Sequence, residues 1–362
     1  MKMTISTATL QGMVAKAMKG ASCNKMIPLT GLMAIHLNQQ SHRLTLLTTD
    51  ATNYLYVRED KVEGDEFYVV VQAEMFAKLI SKLTCEKVSL ELKDNTLTVK
   101  GNGKYSIELP LDEEGELIKY PHPLGGKPFV GDTATVNLST IKLILNTAKS
   151  ALANTLEVPC YTGYYVGNKV VATDTYKICG IDIQLWDEPA LVSPEMMNLL
   201  DIFTDEKIAV YRDDNTIVFS TENCQVYGTL MDSIDDYQIE AIDGLLEQGF
   251  ESSCKINKSA LLQLLDRLAL FVSPYDKNGV YLTFTRDGLQ IESKQANSVE
   301  VISYVESENF RDFTCCVDIE MLHSQVKANT GDGITIHYGE DNAIKIADGN
   351  VTQVIALLED DR

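Results

Sequence analysis

The sequence predicts an α+β chain made of three tandem repeats, each of about 120 residues and each containing two β-α-β-β-β halves. Two observations predict this fold. A Glu-Met pair followed by apolar residues at helical spacing occurs at Glu74, Glu195 and Glu320, at intervals of 121 and 125 residues. Downstream of each pair, two alternating strands flank an Asp-Asn turn, which is the pattern of a β-hairpin. The shared order and spacing of these features favour a threefold repeat.

The front half of each repeat opens with a strand and an amphipathic helix. We predict these elements at Thr4–Met18, Thr135–Ala148 and Lys255–Leu268. A serine near the start of each helix, Ser6, Ser139 or Ser259, is placed to cap it. Paired strands are predicted to follow at Gly31–Leu37 with Leu44–Leu47, Thr162–Val166 with Lys169–Ala172, and Gly279–Thr285 with Leu289–Glu292.

The back half of each repeat contains the Glu-Met helix, the hairpin and a third strand. The hairpins are predicted at Val88–Val99, Ile208–Phe219 and Ile334–Ile346. The third strands are predicted at Tyr105–Leu109, Gln225–Leu230 and Gln353–Leu357. The boundaries between repeats fall in Tyr120–Gly131 and Asp243–Gly249, so the predicted domains are residues 1–125, 126–249 and 250–362.

Composition and charge exclude several classes of protein. The chain has 362 residues, of which 45% are hydrophobic, and its net charge is −21. That charge as a whole argues against a nucleic-acid coat or a membrane-surface protein, but it is uneven: the three predicted domains carry −1, −12 and −8. No apolar stretch is long enough to span a membrane, and no apolar run follows Lys2 as in a signal peptide. Because the eight cysteines include no C-x-x-C pair, we expect a cytoplasmic protein with reduced thiols.

The residues give no indication of catalysis. The five histidines show no metal-ligand spacing, and Gly125-Gly126-Lys127 lacks the other residues of a phosphate-binding loop. The acidic pairs, which could in principle hold Mg²⁺, lie in predicted turns, after a strand or in the tail: Asp213-Asp214, Asp235-Asp236 and Asp360-Asp361. We therefore expect no catalytic residue, no metal and no cofactor.

The cations of the predicted helices and adjoining loops are the remaining candidates for function. They are Lys16, Lys19, Lys25, Lys78, Lys82, Lys142, Lys149, Lys258, Arg267 and Lys327, with His323 beside the last. One interpretation is that they only solvate exposed helix faces. The other is that two-layer repeats joined in series curve into an arc with the helices inside. Such an arc would present a basic inner face to DNA, and the acidic residues would lie outside.

The chain as a whole resembles the bacterial DNA polymerase III beta subunit, or sliding clamp, family. Val171–Ile178 is similar to the family's A-T-D-G-H-R-L segment, and Asp235-Asp236-Tyr237 to its F-P-D-Y stretch. Val354–Leu358 is similar to its apolar C-terminal strand, and both the opening Met1–Thr4 and Ile27–Gly31 match as well. These motifs are short, and their order over the full length makes the resemblance specific.

The resemblance implies three DNA-clamp domains per chain and a head-to-tail, ring-shaped homodimer around double-stranded DNA. It implies a clamp loader and a DNA polymerase as partners, a channel lined by the cations given above, and Tyr105, Leu270 and Phe271 near the dimer interface. Core packing is the other interpretation of these three residues. A groove for partner peptides is implied at Tyr161, Thr173, Thr175, Tyr176, Lys177, Ile178, Ile239, Val354, Ile355, Ala356, Leu357 and Leu358. The other interpretation of this set is ordinary sheet strands.

The sequence also departs from the family's pattern. Thr175-Tyr176-Lys177 replaces Gly-His-Arg, and the C-terminal Met-Pro-Met-Arg-Leu is replaced by Ala356–Asp360. Glu74, Glu195 and Glu320 stand where the family has basic residues. These changes suggest a reshaped groove, fewer contacts to DNA, and a divergent or phage-type member of the family.

Two other classes of protein are alternatives to a clamp. A β-rich structural or adhesion repeat protein would explain the strands, but not the amphipathic helix in every half-repeat. An enzyme on a repeat scaffold would need a constellation of reactive groups that the sequence does not contain.

Overall fold

The structure is a computed structural model, and it describes residues 1–22, 24–122, 132–295 and 298–359. The predicted boundary at residue 125, the Gly125–Lys127 stretch and the Asp360-Asp361 pair lie outside the described residues. In the described part, no helix is long and apolar enough to cross a membrane.

The β-α-β-β-β order recurs six times, as the sequence predicts. The first third of the chain contains β1 (Lys2–Ser6), α1 (Thr7–Ala17), β2 (Leu32–Asn38), β3 (Arg43–Thr49), β4 (Asn53–Glu59), β5 (Glu63–Gly64), β6 (Phe67–Gln72), α2 (Ala73–Ser81), β7 (Lys87–Lys93), β8 (Thr96–Lys100) and β9 (Lys104–Glu108). The short β5 is an addition between the two halves.

The middle third follows the same order. Its elements are β10 (Asp132–Asn137), α3 (Leu138–Thr147), β11 (Tyr164–Val166), β12 (Val170–Thr173), β13 (Lys177–Ile181), β14 (Ala190–Val192), α4 (Pro194–Leu199), β15 (Lys207–Arg212), β16 (Thr216–Ser220), β17 (Cys224–Thr229) and α5 (Ile239–Glu247). Helix α5 was not predicted, and it occupies part of the segment Asp243–Gly249 that the sequence analysis assigned to a boundary.

The last third completes the pattern. It contains β18 (Ser252–Asn257), α6 (Lys258–Leu268), β19 (Gly279–Thr285), β20 (Gly288–Ser293), β21 (Val299–Ile302), β22 (Glu306–Glu308), β23 (Phe313–Asp318), α7 (Ile319–Ala328), β24 (Gly333–Tyr338), β25 (Ala343–Asp348) and β26 (Val351–Ala356). The three Glu-Met pairs lie in the first turns of α2, α4 and α7, and the three Asp-Asn turns join paired strands, so these predictions are confirmed.

The described residues form two compact units. Unit 1 comprises residues 1–139 and 195–230, and unit 2 comprises residues 140–194 and 231–362. Each unit draws strands from two of the predicted repeats, because strands of neighbouring repeats pair within one sheet. The division into three domains at residues 125 and 249 stays a prediction.

Each unit contains two antiparallel sheets. Unit 1 has a five-stranded sheet in the order β5-β1-β7-β8-β9 and an eight-stranded sheet in the order β10-β15-β16-β17-β4-β3-β2-β6. Unit 2 has a nine-stranded sheet in the order β14-β11-β12-β13-β26-β25-β24-β18-β22 and a four-stranded sheet in the order β21-β20-β19-β23. One face of each helix is buried, as in an element that packs on a sheet.

The helix caps differ from the serines that the sequence suggested. Ser6 stands at the N-cap of α1, but its side chain makes no capping hydrogen bond there. Ser139 lies inside α3, and Ser259 lies inside α6. The side chain of Asn257 caps α6 by accepting a hydrogen bond from the Ala260 N–H at 2.9 Å. Asparagine is as effective an N-cap as serine, so the choice depends on which residue ends the preceding strand.

Candidate partner-binding and interface surfaces

A tight turn between β12 and β13 orders two exposed residues of the predicted groove, Thr175 and Tyr176. The Thr173 hydroxyl donates to the Lys177 carbonyl at 2.9 Å and accepts from the Thr175 N–H at 3.1 Å. The Asp174 carboxylate accepts from the N–H groups of Tyr176 and Lys177 at 3.1 and 2.9 Å. Thr175 takes a positive φ of 78° inside this network. The turn leaves the Tyr176 side chain 61% exposed.

The structure brings the predicted groove residues of three separate segments together in unit 2. Strand β13 pairs with β26, so that Ile178 lies opposite Val354. Tyr161 joins both residues in one apolar cluster, in which the exposed fractions are 8% for Tyr161, 5% for Ile178 and 3% for Val354. The phenol rings of Tyr161 and Tyr237 pack edge to face, and their centroids are 5.1 Å apart.

Helix α5 covers this cluster. Its Ile242 is buried in the cluster, and Ile239, Leu245 and Leu246 pack against it. Leu246 lies directly on Gly180, where an added Cβ would be 2.8 Å from the Leu246 Cδ1 atom. This helix was not predicted, although apolar residues at positions 239, 242, 245 and 246 have helical spacing.

Burial divides the predicted groove into two parts. The buried members are Tyr161, Thr173, Lys177, Ile178, Val354 and Ile355, and the more accessible members are Thr175, Tyr176, Ile239, Ala356, Leu357 and Leu358. The Tyr176 carbonyl accepts from the Ala356 N–H at 2.8 Å, which joins the turn to the end of β26. Burial also raises the pKa of Tyr237 well above its ordinary value, so its hydroxyl stays protonated in the cluster.

Half of the ten predicted DNA-facing cations are engaged by other groups. Three make ion pairs: Lys19 with Asp201 at 3.2 Å, Lys78 with Glu74 at 2.5 Å, and Arg267 with Glu300 at 2.5 Å. The hydrogen bond from Arg267 holds the pKa of Glu300 below its usual value. Lys258 donates to the Asn329 carbonyl, and Lys149 also has an interaction partner. Among the described residues, no carboxylate pairs with Lys16, Lys25, Lys82, Lys142 or Lys327.

The three residues expected at a dimer interface are all on the surface of this chain. Tyr105 is 37% exposed on β9, which is the edge strand of the five-stranded sheet in unit 1. Leu270 and Phe271 follow α6 in unit 2, with exposed fractions of 80% and 49%. These values rule out the alternative interpretation of ordinary core packing within the chain.

A second exposed edge was not predicted from the sequence. Strand β21 ends the four-stranded sheet of unit 2, and its Val299 and Val301 are 54% and 60% exposed. Arg267 of α6 holds Glu300, the residue between them, and so places α6 beside this edge. The alternation of Val299 and Val301 could have identified an apolar strand face, but not that the strand lies at an edge.

Taken together, these features define a class of protein: a β-rich repeat scaffold with exposed sheet edges and an apolar cluster covered by a helix. Among the described residues, no three His, Cys, Asp or Glu side chains are grouped so that they could hold a metal ion.

Comparisons with known proteins show which proteins this chain is similar to. Residues 1–118 match the family model of the DNA polymerase III beta subunit, N-terminal domain. The chain is 23% identical over 330 residues to the Beta sliding clamp of Bacillus subtilis (strain 168), covering 84% of this chain and 80% of that protein. These matches confirm the resemblance to the DNA polymerase III beta subunit family that the sequence motifs suggest.

Solved structures show the same fold over the full chain. The DNA polymerase sliding clamp of Bacillus subtilis aligns with a TM-score of 0.84 at 18% identity, covering 99% of both chains. The DNA polymerase III beta chain of Streptococcus pneumoniae TIGR4 aligns with a TM-score of 0.86 at 16% identity, covering 99% of this chain and 100% of that one. The predicted α+β clamp fold is therefore confirmed for the single chain.

Proposed function

We propose that this protein is a DNA sliding clamp, a processivity factor that encircles duplex DNA and tethers a replicative DNA polymerase. The observation that carries the proposal is the sixfold β-α-β-β-β order within one chain of this family. The proposed role is topological and needs no catalytic step, no metal and no cofactor. It places the protein in the cytoplasm with its DNA. A β-rich structural repeat protein is not favoured, because the chain's relatives are sliding clamps.

In this proposal two copies close into a ring through unlike edges. The β9 edge of one copy, with Tyr105, would meet the β21 edge of the other, with Val299, Val301 and the neighbouring Leu270 and Phe271. An exposed strand edge with unpaired N–H and C=O groups readily pairs with another strand. Because the two edges differ, the contact is heterologous, and two such contacts can close a ring of two chains.

Contacts to DNA in this ring would be few and not specific for sequence. Lys16, Lys25, Lys82, Lys142 and Lys327 would attract phosphates, since no described carboxylate pairs with them. Such attraction weakens as salt rises, because phosphate neutralisation releases counterions. Retention would therefore depend on the closed ring rather than on affinity, which suits a protein that slides.

We assign the partner surface to the accessible part of the groove in unit 2. Tyr176 would anchor a short peptide of the polymerase or of the clamp loader, with Ile239 and the Ala356–Leu358 segment beside it. An exposed aromatic ring next to apolar side chains is typical of a binding hot spot.

The proposal is tested by retention on DNA of defined topology. The protein is loaded onto nicked circular DNA by its clamp loader, and bound protein is measured before and after the circle is cut. We expect a dimer by gel filtration with light scattering, retention on the circle, and loss after linearisation. A monomer, or equal retention on circular and linear DNA, would contradict the proposal.

An interface variant and its control make the same experiment specific for the ring. Leu270→Asp combined with Phe271→Asp places two charges on the proposed contact, so we expect a folded monomer that is not retained on the circle. Leu156→Asp changes a side chain of unit 2 that is equally exposed, at 79%, and should leave both dimer and retention intact.

A further inference from the structure

A cavity of about 280 Å³ in unit 1 has no role in the proposed function. Strands β2, β3, β4 and β6 and the segment before residue 123 line it. Its polar and aromatic lining comprises His36, Tyr56, Arg58, Tyr68, Tyr120 and His122. A concave site with aromatic walls and a few polar groups is typical of ligand binding, and this volume suits one or two side chains rather than a nucleotide.

Arg58 gives this cavity an uncompensated positive charge. Its guanidinium donates to the Gln225 side-chain oxygen at 2.5 Å and lies 5.5 Å from the centre of the Tyr56 ring. Within the described residues it makes no ion pair, and it is half-buried. Burial lowers the pKa of Arg58 from its ordinary value, as expected for a cation that has no carboxylate partner. A half-buried cation of this kind is stabilised by an incoming anion.

The carboxylates nearest this cavity already have partners. Asp60 is held by Arg43 through two hydrogen bonds of 2.6 and 3.1 Å. Glu66 accepts from the Gln39 N–H at 2.9 Å and lies 3.0 Å from the His36 ring nitrogen. An anion for Arg58 would therefore come from outside this part of the chain.

The cavity occupies the same place in unit 1 as the α5-covered cluster in unit 2. Both surfaces begin at the same turn: in unit 1 the Thr49 hydroxyl donates to the Asn53 carbonyl at 2.6 Å, and the Asp50 carboxylate accepts from the Asn53 N–H at 2.7 Å. Ala51 also takes a positive φ, of 92°. Counting along the strands from these turns makes Tyr56 the counterpart of Gly180.

Strand register extends this equivalence to the charged positions. Thr45 lies opposite Arg58 in unit 1. In unit 2 the paired strands end with Val170 opposite Ile181, and one further step makes Lys169 the counterpart of Thr45 and Asp182 the counterpart of Arg58. The Lys169 ammonium pairs with Asp243 of α5 at 2.8 Å. In unit 2, therefore, a segment of the chain supplies both apolar side chains and a carboxylate to a cation on this surface.

We propose that the unit 1 cavity is a second docking site, which takes a short partner segment presenting a carboxylate beside apolar side chains. Arg58 binds the carboxylate, and the rings of Tyr56, Tyr68 and Tyr120 contact the apolar side chains. This chemistry is that of α5, which already covers the equivalent surface. The site is separate from the proposed groove at Tyr176, and its partner need not be the polymerase.

The test uses a peptide with the sequence of residues 238–249, labelled with fluorescein, and measures its anisotropy with the full-length protein. We expect saturable binding that weakens about tenfold or more with Arg58→Gln, because a charge-assisted hydrogen bond is lost. The same loss is expected when the peptide carries Asn at its Asp243 position. Arg286→Gln is the control, since Arg286 is an exposed arginine that does not line the cavity, and it should leave the affinity unchanged.

Two further measurements make the outcome decisive. Arg58→Lys keeps the charge and the fold, so partial binding is expected, and circular dichroism checks that each variant is folded. Absence of binding to the native protein, or binding that is equal with Arg58→Gln, would overturn the proposal. Full displacement by millimolar inorganic phosphate would instead indicate a simple anion site and would also overturn it. The assay contains no DNA, loader or polymerase, so its result does not depend on whether the clamp proposal is correct.

Discussion

Two surfaces of this chain share one backbone framework and differ in what covers them. In each, a Thr-Asp turn with a positive φ leads into a strand that crosses a sheet beside a buried tyrosine, Tyr120 in unit 1 and Tyr237 in unit 2. Helix α5 closes the surface in unit 2, whereas the surface in unit 1 contains a cavity. The comparison shows that a few side chains on one framework can make either a core or a binding site.

The side chains that differ act through size and charge. Gly180 leaves room for Leu246 of α5, while its counterpart Tyr56 fills that space with a ring. Lys169 is neutralised by Asp243 within the chain, while Arg58 has no carboxylate among the described residues. Glycine and an internal ion pair thus favour closure, and a large ring with an unpaired cation favours an open site.

The largest expected effect comes from replacing Gly180 of unit 2 with tyrosine, the residue that unit 1 has at the equivalent position, Tyr56. In Gly180→Tyr, the ring would need the space that Leu246 occupies, since even a Cβ lies 2.8 Å from the Leu246 Cδ1 atom. We expect α5 to be displaced and the free energy of unfolding to fall by about 1–3 kcal/mol, as in other overpacked cores. Urea denaturation measures the loss, and hydrogen exchange should rise in residues 239–247.

A smaller substitution at the same position separates crowding from loss of glycine. In Gly180→Ala the added methyl group meets only the end of a flexible leucine side chain. We expect a clearly smaller loss of stability and unchanged hydrogen exchange in α5. If Gly180→Tyr also left the exchange of α5 unchanged, Leu246 would not be what closes this surface.

The sequence predicted the fold well, because the fold depends on local and repeated signals. Alternation with period two, helical spacing and Asp-Asn turns are visible within each segment, and six copies reinforce one another. The meeting of Ile178 with Val354 depends on the pairing of β13 with β26, which are far apart in the chain. Only the family motifs, and no local pattern, indicated that these residues share a site.

Other features could not be predicted because they depend on which side chains meet in space. The engagement of Arg267 by Glu300 joins residues 33 positions apart and removes a cation from the predicted set. Helix α5 was visible as a pattern, but its second half lay in a segment interpreted as a boundary. To predict the unit 1 cavity, the Asp50 turn would have had to be aligned with the Asp174 turn. This internal repeat was not among the Glu-Met and Asp-Asn features.

The ion pair between Lys169 and Asp243 should contribute a smaller part of the closure in unit 2. Both side chains are partly buried, with 23% and 30% exposed, and the charged atoms are 2.8 Å apart. We expect Lys169→Met and Asp243→Asn each to lower stability by about 1 kcal/mol or less, and the double variant to lose less than the sum. A double-mutant cycle at low and high salt measures the coupling; a coupling of zero at low salt would show that apolar contacts alone hold α5.

The smallest expected effect is a pH dependence that belongs to the open surface of unit 1. Burial, together with the nearby charges of Arg58 and His36, lowers the pKa of His122 below its ordinary value of 6.5. The unfolded chain therefore binds this proton more readily, so the contribution of His122 to stability is present above that pH and is lost as the pH falls toward the folded-state pKa. NMR titration of the His122 ring should give a pKa below 6.5, and His122→Gln should flatten the acid side of the stability profile of unit 1.

A carboxylate bound at Arg58 would raise the pKa of His122 by offsetting the cation, so titration with and without the peptide of residues 238–249 connects this effect to the docking site. A pKa of His122 at or above 6.5 in the free protein would show that the surface in unit 1 is more open to solvent than its geometry indicates.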